Sequence, residues 1–314
     1  MITVTDLTRN YGDLVAVNNI SFSIRKGEIA GLLGPNGAGK TTTLRMLTCY
    51  LKPTQGTITV GDYLVDEDPL AVKKLIGYLP EEAPIYGDMI VYDYLRYIGM
   101  IRGIPVEELR DRIKRIADIC DINDVMHQMV SELSKGYKQR VGLAHAMIHD
   151  PEIIILDEPT SGLDPNQIVE IRNLIKKIGK EKTVILSTHI LSEVEATCNR
   201  VIIIDRGSIV ADGSTEALRS SGGKGMWISL TVGGVAFDEL SAALREVPGV
   251  ESVAEKRSEQ NLTTAMVVPA GDEVRPAIGN CVCEKGWQLY EMKQEIRTLE
   301  TIFRELTRGG GDEI

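Results

Sequence analysis

Between Ile2 and Val210, short runs rich in β-branched residues alternate with longer segments whose apolar positions recur at helical spacing. That alternation predicts an α/β domain with a largely parallel sheet. Three runs are aliphatic throughout: Ile153 to Leu156, Val184 to Leu186 and Val201 to Ile204. A strand with no polar face is covered by helices on both sides, so these are the expected central strands. A helix expected over Gln167 to Lys180 places Ile168, Ile171, Ile175 and Ile178 on one stripe and supplies such a cover. From about Pro80 to Asp150 the pattern turns helical, most clearly over Val91 to Arg102 and Val106 to Asp121, which reads as an inserted helical subdomain. Tyr78, Tyr86, Tyr92, Tyr94 and Tyr97 cluster where it begins. Aromatics so placed suit either a contact surface for another protein or the packing of the subdomain itself.

Small residues from Ser220 to Gly225 mark a linker over 221–225, with one domain over 1–220 before it and a second over 226–314 after it. In the second, strand Met226 to Val232 is followed by helix Asp238 to Glu246 and a Pro248-Gly249 turn. Strands near Val250 to Glu255 and Thr263 to Val268, helix Glu273 to Glu284 and a strand near Trp287 to Glu291 complete it. The order β-α-β-β-α-β predicts a ferredoxin-like unit. A closing helix carries Leu299, Ile302, Phe303 and Leu306 on one stripe.

Composition narrows the function classes. With 314 residues, 43% of them hydrophobic, the chain can bury a sizeable core. Its net charge of −10 opposes nonspecific attraction to phosphates, so no nucleic-acid partner is expected. No run approaches the ~18 consecutive apolar residues of a membrane span, and Met1 to Arg9 lacks the layout of a secretory signal, so a cytoplasmic chain is expected. Cys49, Cys120, Cys198, Cys281 and Cys283 are odd in number and scattered, which fits reduced thiols. Cys281 and Cys283 lie two apart on an expected helix and face apart; Cys281 joins the stripe of Val274, Ile278 and Val282 as core. His127, His145 and His149 have no metal-ligand spacing and read as structural.

The chemistry begins at Gly34-Pro35-Asn36-Gly37-Ala38-Gly39-Lys40-Thr41, which matches the phosphate-binding loop G-x-x-x-x-G-K-[ST]. It follows the apolar stretch Ile29 to Leu33 and precedes the helical stretch Thr42 to Leu51, the context that such a loop requires. Glycines let backbone N–H groups and the helix N-terminus face phosphates, Lys40 supplies a point charge, and the Thr41 hydroxyl suits Mg²⁺. Downstream, an aliphatic strand ends in Asp157-Glu158. Two carboxylates there are costly unless they act on a cation or water; Asp157 fits Mg²⁺ and Glu158 the general base for an attacking water. His189 follows the strand Thr183 to Ser187, and its position at a strand exit leaves both a structural and a functional role open.

Together these residues resemble the nucleotide-binding subunit of an ATP-binding cassette (ABC) transporter over roughly residues 2 to 220. The family's most diagnostic element, usually Leu-Ser-Gly-Gly-Gln, stands here as Leu133-Ser134-Lys135-Gly136-Tyr137. Ser161-Gly162-Leu163-Asp164 looks like the D-loop, His189 like the switch histidine, and Tyr11 like the aromatic that stacks on adenine. By this resemblance ATP and Mg²⁺ are bound at Tyr11, Gly34 to Thr42 and Asp157, and two subunits close head to tail as a homodimer. Each ATP then lies between one subunit's phosphate loop and Ser134 and Gly136 of the other, whose helix N-terminus adds donors and dipole. Two departures stand out. Lys135 and Tyr137 replace the usual glycine and glutamine, and Glu81 stands where a Mg²⁺-sensing glutamine is usual.

The Pro80-Glu81-Glu82-Ala83-Pro84 segment, the single cassette and Leu299-Glu300-x-x-Phe303 look like type-two exporter ATPases, nearest those of the gliding-motility type. That resemblance implies a separate multi-helix membrane permease docking near Tyr86 to Tyr97, and a subunit peripheral on the inner face of the cell membrane. The alternative is a soluble ABC ATPase that remodels a protein or nucleic-acid complex. A single phosphate loop and the acidic charge oppose it, while intact Lys40, Asp157, Glu158 and His189 oppose a catalytically dead module.

Overall fold

A computed structural model describes residues 1–220, 226–259, 262–270, 273–296 and Phe303. The chain divides into two compact units, Met1–Thr215 and Glu216–Ile314. The division falls a few residues before the expected linker, which lies outside the described residues.

The first unit opens with β1 (Ile2–Tyr11) and β2 (Leu14–Ile24), an antiparallel pair turned at Gly12-Asp13. Then come β3 (Ile29–Leu33), α1 (Lys40–Leu47), β4 (Gln55–Val60), β5 (Tyr63–Leu64), α2 (Pro69–Leu75) and β6 (Ile76–Leu79). Helices α3 (Val91–Ile101), α4 (Val106–Cys120) and α5 (Lys135–Met147) follow, with two short 3-10 turns between α4 and α5. The remainder is β7 (Ile153–Asp157), α6 (Pro165–Gly179), β8 (Thr183–Thr188), α7 (Leu191–Thr197), β9 (Arg200–Asp205) and β10 (Ser208–Ser214), and α8 (Thr215–Ser220) leads into the second unit.

Two sheets form where the sequence predicts one. A six-stranded sheet runs β10-β9-β3-β8-β7-β6, with β9 to β6 parallel and β10 antiparallel at its edge. A separate antiparallel sheet, β2-β1-β4-β5, contradicts the reading of everything from Ile2 onward as a largely parallel sheet. Its strands are apolar on one face, with breaks in the alternation: Ile2, Val4 and Leu7 of β1 are buried, as are Val17, Ile20, Phe22 and Ile24 of β2 and Ile58 and Val60 of β4. These join Leu44, Met46 and Leu47 of α1 and Leu32 of β3 in one cluster, so the antiparallel sheet roofs the helix that follows the phosphate loop. Each such buried side chain contributes about 1.5–3 kcal/mol relative to exposure.

Helix α6 begins at Pro165, two residues before the expected start. The Asp164 carboxylate accepts from the Asn166 and Gln167 N–H groups at 3.0 Å each, and Pro165 takes the first position, where no donor is needed. Between β6 and β7 the chain is mainly helical, and its tyrosines differ in burial. Tyr94 is wholly buried, whereas Tyr86 and Tyr97 are exposed and stack edge to face with centroids 6.0 Å apart.

The second unit follows the order β11 (Met226–Gly233), α9 (Phe237–Arg245), β12 (Val250–Glu259), β13 (Leu262–Pro269), α10 (Arg275–Glu284) and β14 (Gln288–Ile296). The sheet runs β12-β13-β11-β14 with all neighbours antiparallel, the ferredoxin-like arrangement. Leu240 and Leu244 of α9 and Ile278 and Val282 of α10 bury against Ile228, Leu230, Val232 and Val267 of the sheet. Cys281 packs on the edge of this core and Cys283 is exposed, so the two thiols do not converge. Strands β12 and β14 run several residues past the sequence reading, and the expected closing helix lies outside the described residues except for Phe303.

Candidate functional site

Parallel register creates the site. Leu33 pairs with Thr188 and Asp157 with Ser187, so β3, β7 and β8 end at one level, and the phosphate loop, the carboxylates and His189 leave the sheet at one edge.

After the fully buried β3, the loop must turn at once into α1. A Cβ on Gly34 would lie 2.3 Å from the Ile204 carbonyl oxygen at the end of β9, so only glycine fits there. Gly39, the N-cap of α1, has φ of +103° and backs onto the Ala16 carbonyl. Lys40 opens the helix nearly buried. Its Nζ donates to the Gly34 and Pro35 carbonyls at 2.8 and 3.2 Å and stands 3.3 Å from Glu158 Oε1. An ammonium so withdrawn from water needs these partners.

Thr41 Oγ1 donates to Asp157 Oδ1 at 3.1 Å, and Ser187 Oγ donates to the same oxygen at 2.6 Å. Ser187 also accepts the Glu158 N–H, through its hydroxyl at 3.0 Å and its carbonyl at 3.2 Å. Glu158 itself sits at φ +45°, a left-handed backbone rare for a non-glycine residue. Its Oε2 lies 2.9 Å from His189 Nδ1. The charge of Asp157 reaches outward too: together with the larger effect of burial it pushes the Tyr78 phenol up to about 12.

A 520 Å³ cleft opens over this edge, lined by Tyr11, Asn36 to Thr42, Glu81, Glu158 and His189. Tyr11 lies at its rim, half exposed, with the Arg9 guanidinium 4.8 Å from its ring centroid. Gly34 and Pro35 do not line the cleft; their carbonyls hold Lys40 from beneath. Glu81 faces it and accepts a long 3.4 Å bond from Ser161 Oγ. Ser134 and Gly136 are elsewhere. Ser134 caps α5, accepting the Tyr137 N–H at 3.4 Å, and Gly136 is buried against the Gln167 side chain.

Thr41, which lines the cleft, and Asp157, buried behind it and bonded to its hydroxyl, are the two residues that could hold a divalent cation. Among the described residues no three His, Cys, Asp or Glu side chains form a cage. Two oxygens from the chain beside an open cleft fit Mg²⁺, which keeps several waters and takes phosphate oxygens from a nucleotide.

Several site residues carry no motif signal. Leu14 and Ala16 line the cleft, and Ser187 bridges the two carboxylate positions from the end of β8; Ser161, which also lines the cleft, is the exception. Ser161 was visible in its motif; Ser187 is one polar residue ending an aliphatic strand, and only the register shows what it faces.

A family model described as ABC transporter matches residues 17–161, and one described as an AAA domain matches 128–195. The ABC transporter ATP-binding protein NatA of Bacillus subtilis is 41% identical over 227 residues, 70% of this chain and 92% of that one. YxlF of the same organism, an uncharacterised ABC transporter ATP-binding protein, is 32% identical over 304 residues, 96% of this chain and 98% of its own. A solved dimeric bacterial ABC transporter cassette, MJ0796, superposes with a TM-score of 0.62 at 26% identity, over 68% of this chain and 98% of that one. Motif, fold and kinship agree: this chain belongs to the ATP-binding subunits of ABC transporters and is an ATPase, converting ATP and water to ADP and phosphate.

Proposed function

We propose that the subunit drives export through a separate multi-helix permease, using closure of two copies head to tail around ATP. The observation that carries head-to-tail closure is that neither Ser134 nor Gly136 lines the phosphate loop's own cleft, although both stand at the N-terminus of α5. Donors at the N-terminus of α5 serve a γ-phosphate only when they belong to a second copy, as a dimeric relative also suggests.

In this mechanism Tyr11 stacks on the adenine, and the Gly34 to Thr42 loop, with Lys40, holds the phosphates. Thr41 and Asp157 would hold Mg²⁺, with Glu81 on the same cleft, and the bound ion would supply positive charge to the transferring phosphoryl group. Glu158 orients a water and takes its proton as the water oxygen bonds to the γ-phosphorus and the bond to the β-phosphate oxygen breaks. His189, hydrogen-bonded to Glu158, keeps that carboxylate aimed. Hydrolysis removes the group that both copies grip, and the dimer reopens.

The permease surface fits the start of the helical segment. Tyr86 and Tyr97 are exposed there, and a neighbouring 400 Å³ cleft is lined by Arg45, Lys73 and Arg102, none in an ion pair with a described residue. No helix among the described residues is long and apolar enough to cross a membrane; the peripheral place on the inner face rests on the likeness to ATP-binding subunits of ABC transporters. Purifying the tagged Glu158→Gln chain from gently solubilised host membranes tests this reading. Recovery of a polytopic membrane protein is the expected result; recovery of soluble proteins or nucleic acid alone would overturn the transport assignment.

A further inference from the structure

Helix α7 buries a carboxylate that none of the motifs uses. Glu193 is 4% exposed, and no Lys or Arg among the described residues pairs with it. Its Oε1 accepts from Thr160 Oγ1 at 2.6 Å and its Oε2 from Thr188 Oγ1 at 2.7 Å, both hydroxyls being themselves buried. Thr188 also accepts the Ile190 N–H at 3.0 Å, which fixes its hydroxyl.

The placement of the two threonines gives these bonds their meaning. Thr160 lies two residues past Glu158, and Thr188 immediately precedes His189. With the 2.9 Å contact between His189 Nδ1 and Glu158 Oε2, the bonds close a ring: Glu158 through Thr160 to Glu193, on to Thr188 and His189, and back to Glu158. A buried carboxylate without a cation is a poor choice for stability, since an apolar side chain of similar volume avoids the desolvation cost. What the carboxylate adds is two directed acceptors, one for each chain segment that bears a reacting group. The strained backbone of Glu158, at φ +45°, needs such an external hold.

We propose that Glu193 is a positioning residue for hydrolysis: by gripping Thr160 and Thr188 it sets the spacing of Glu158 and His189. This rests on the reading of Glu158 as the general base.

Steady-state hydrolysis and binding of a fluorescent non-hydrolysable ATP analogue, both with the full chain, test it. Glu193→Ala is expected to lower kcat by tenfold or more while the analogue's Kd changes by less than about twofold, because misplacing a catalytic group costs rate rather than ground-state binding. Glu193→Gln keeps one acceptor and offers its amide to the other hydroxyl, and restores most of kcat. Thr160→Val and Thr188→Val, near-isosteric, lower kcat in the same direction and remain informative if the alanine variant misfolds. A folded Glu193→Ala or Thr160→Val variant with kcat within about twofold of the parent overturns the proposal, as does a loss confined to Kd. Glu158→Gln, run alongside, separates the two readings. If it hydrolyses like the parent, the general-base assignment fails; if it is silent while Glu193→Ala is active, only the role of Glu193 falls.

Discussion

At the residue scale, the site divides into positions that the backbone demands and positions that partners demand. Gly34 and Gly39 were legible because a phosphate loop tolerates only glycine where a carbonyl lies 2.3 Å from a would-be Cβ, or where φ reaches +103°. Gly39→Ala is therefore expected to weaken ATP-analogue binding by at least about tenfold, as strain and clash together cost more than 1.4 kcal/mol. Gly103→Ala, also at positive φ but in open space, should leave binding unchanged. Equal losses in both would show that the loop geometry is not responsible. Ser187 and Glu193 were not legible. Both look like ordinary polar residues, and their roles come from the register of β7 against β8 and from the fold of α7 beneath it.

At the element scale, the fully aliphatic strands and the striped helices were readable because burial on two faces, or on one, leaves a simple period. The antiparallel sheet escaped because β1 and β2 carry half-polar, irregular patterns, broken in β1 by register shifts. His145 in the last turn of α5 and His149 just past its end make stability depend on pH. His149 Nε2 donates to the Ile76 carbonyl at 3.1 Å, and His145 Nδ1 lies 2.5 Å from the Tyr94 hydroxyl, which itself donates to the Pro84 carbonyl. Burial, aided by Arg102, pulls both imidazoles down to about 4. In the unfolded chain they protonate near the ordinary value of 6.5, so the unfolded state gains protons first as pH falls. Stability is thus fully present above about pH 6.5 and declines toward pH 4, by up to about 3 kcal/mol for each histidine. Calorimetric unfolding of the parent should show a midpoint that drops between pH 7 and pH 5. The drop should be smaller in His149→Gln, whose amide keeps the donor to Ile76; parallel pH curves would contradict this assignment.

At the scale of the whole molecule, the two units were legible in outline, since their element orders differ, but the division falls at Thr215–Glu216 rather than in the glycine-rich stretch. Each unit has its own hydrophobic core, and every residue of the candidate site belongs to the first. Deleting the chain from Gly225 onward should therefore leave ATP-analogue binding intact, with a Kd within about threefold of the parent. Loss of binding in a folded truncation would place the boundary elsewhere. Ser134 and Gly136 do not line the cleft of their own chain, and the proposal has them complete the cleft of a second copy. The most direct test is the molar mass of Glu158→Gln in solution, by light scattering, with and without saturating Mg-ATP. The composite site predicts a monomer without nucleotide and a doubled mass with it, reversed by Ser134→Arg. A chain that binds Mg-ATP yet keeps the mass of a single copy would contradict head-to-tail closure.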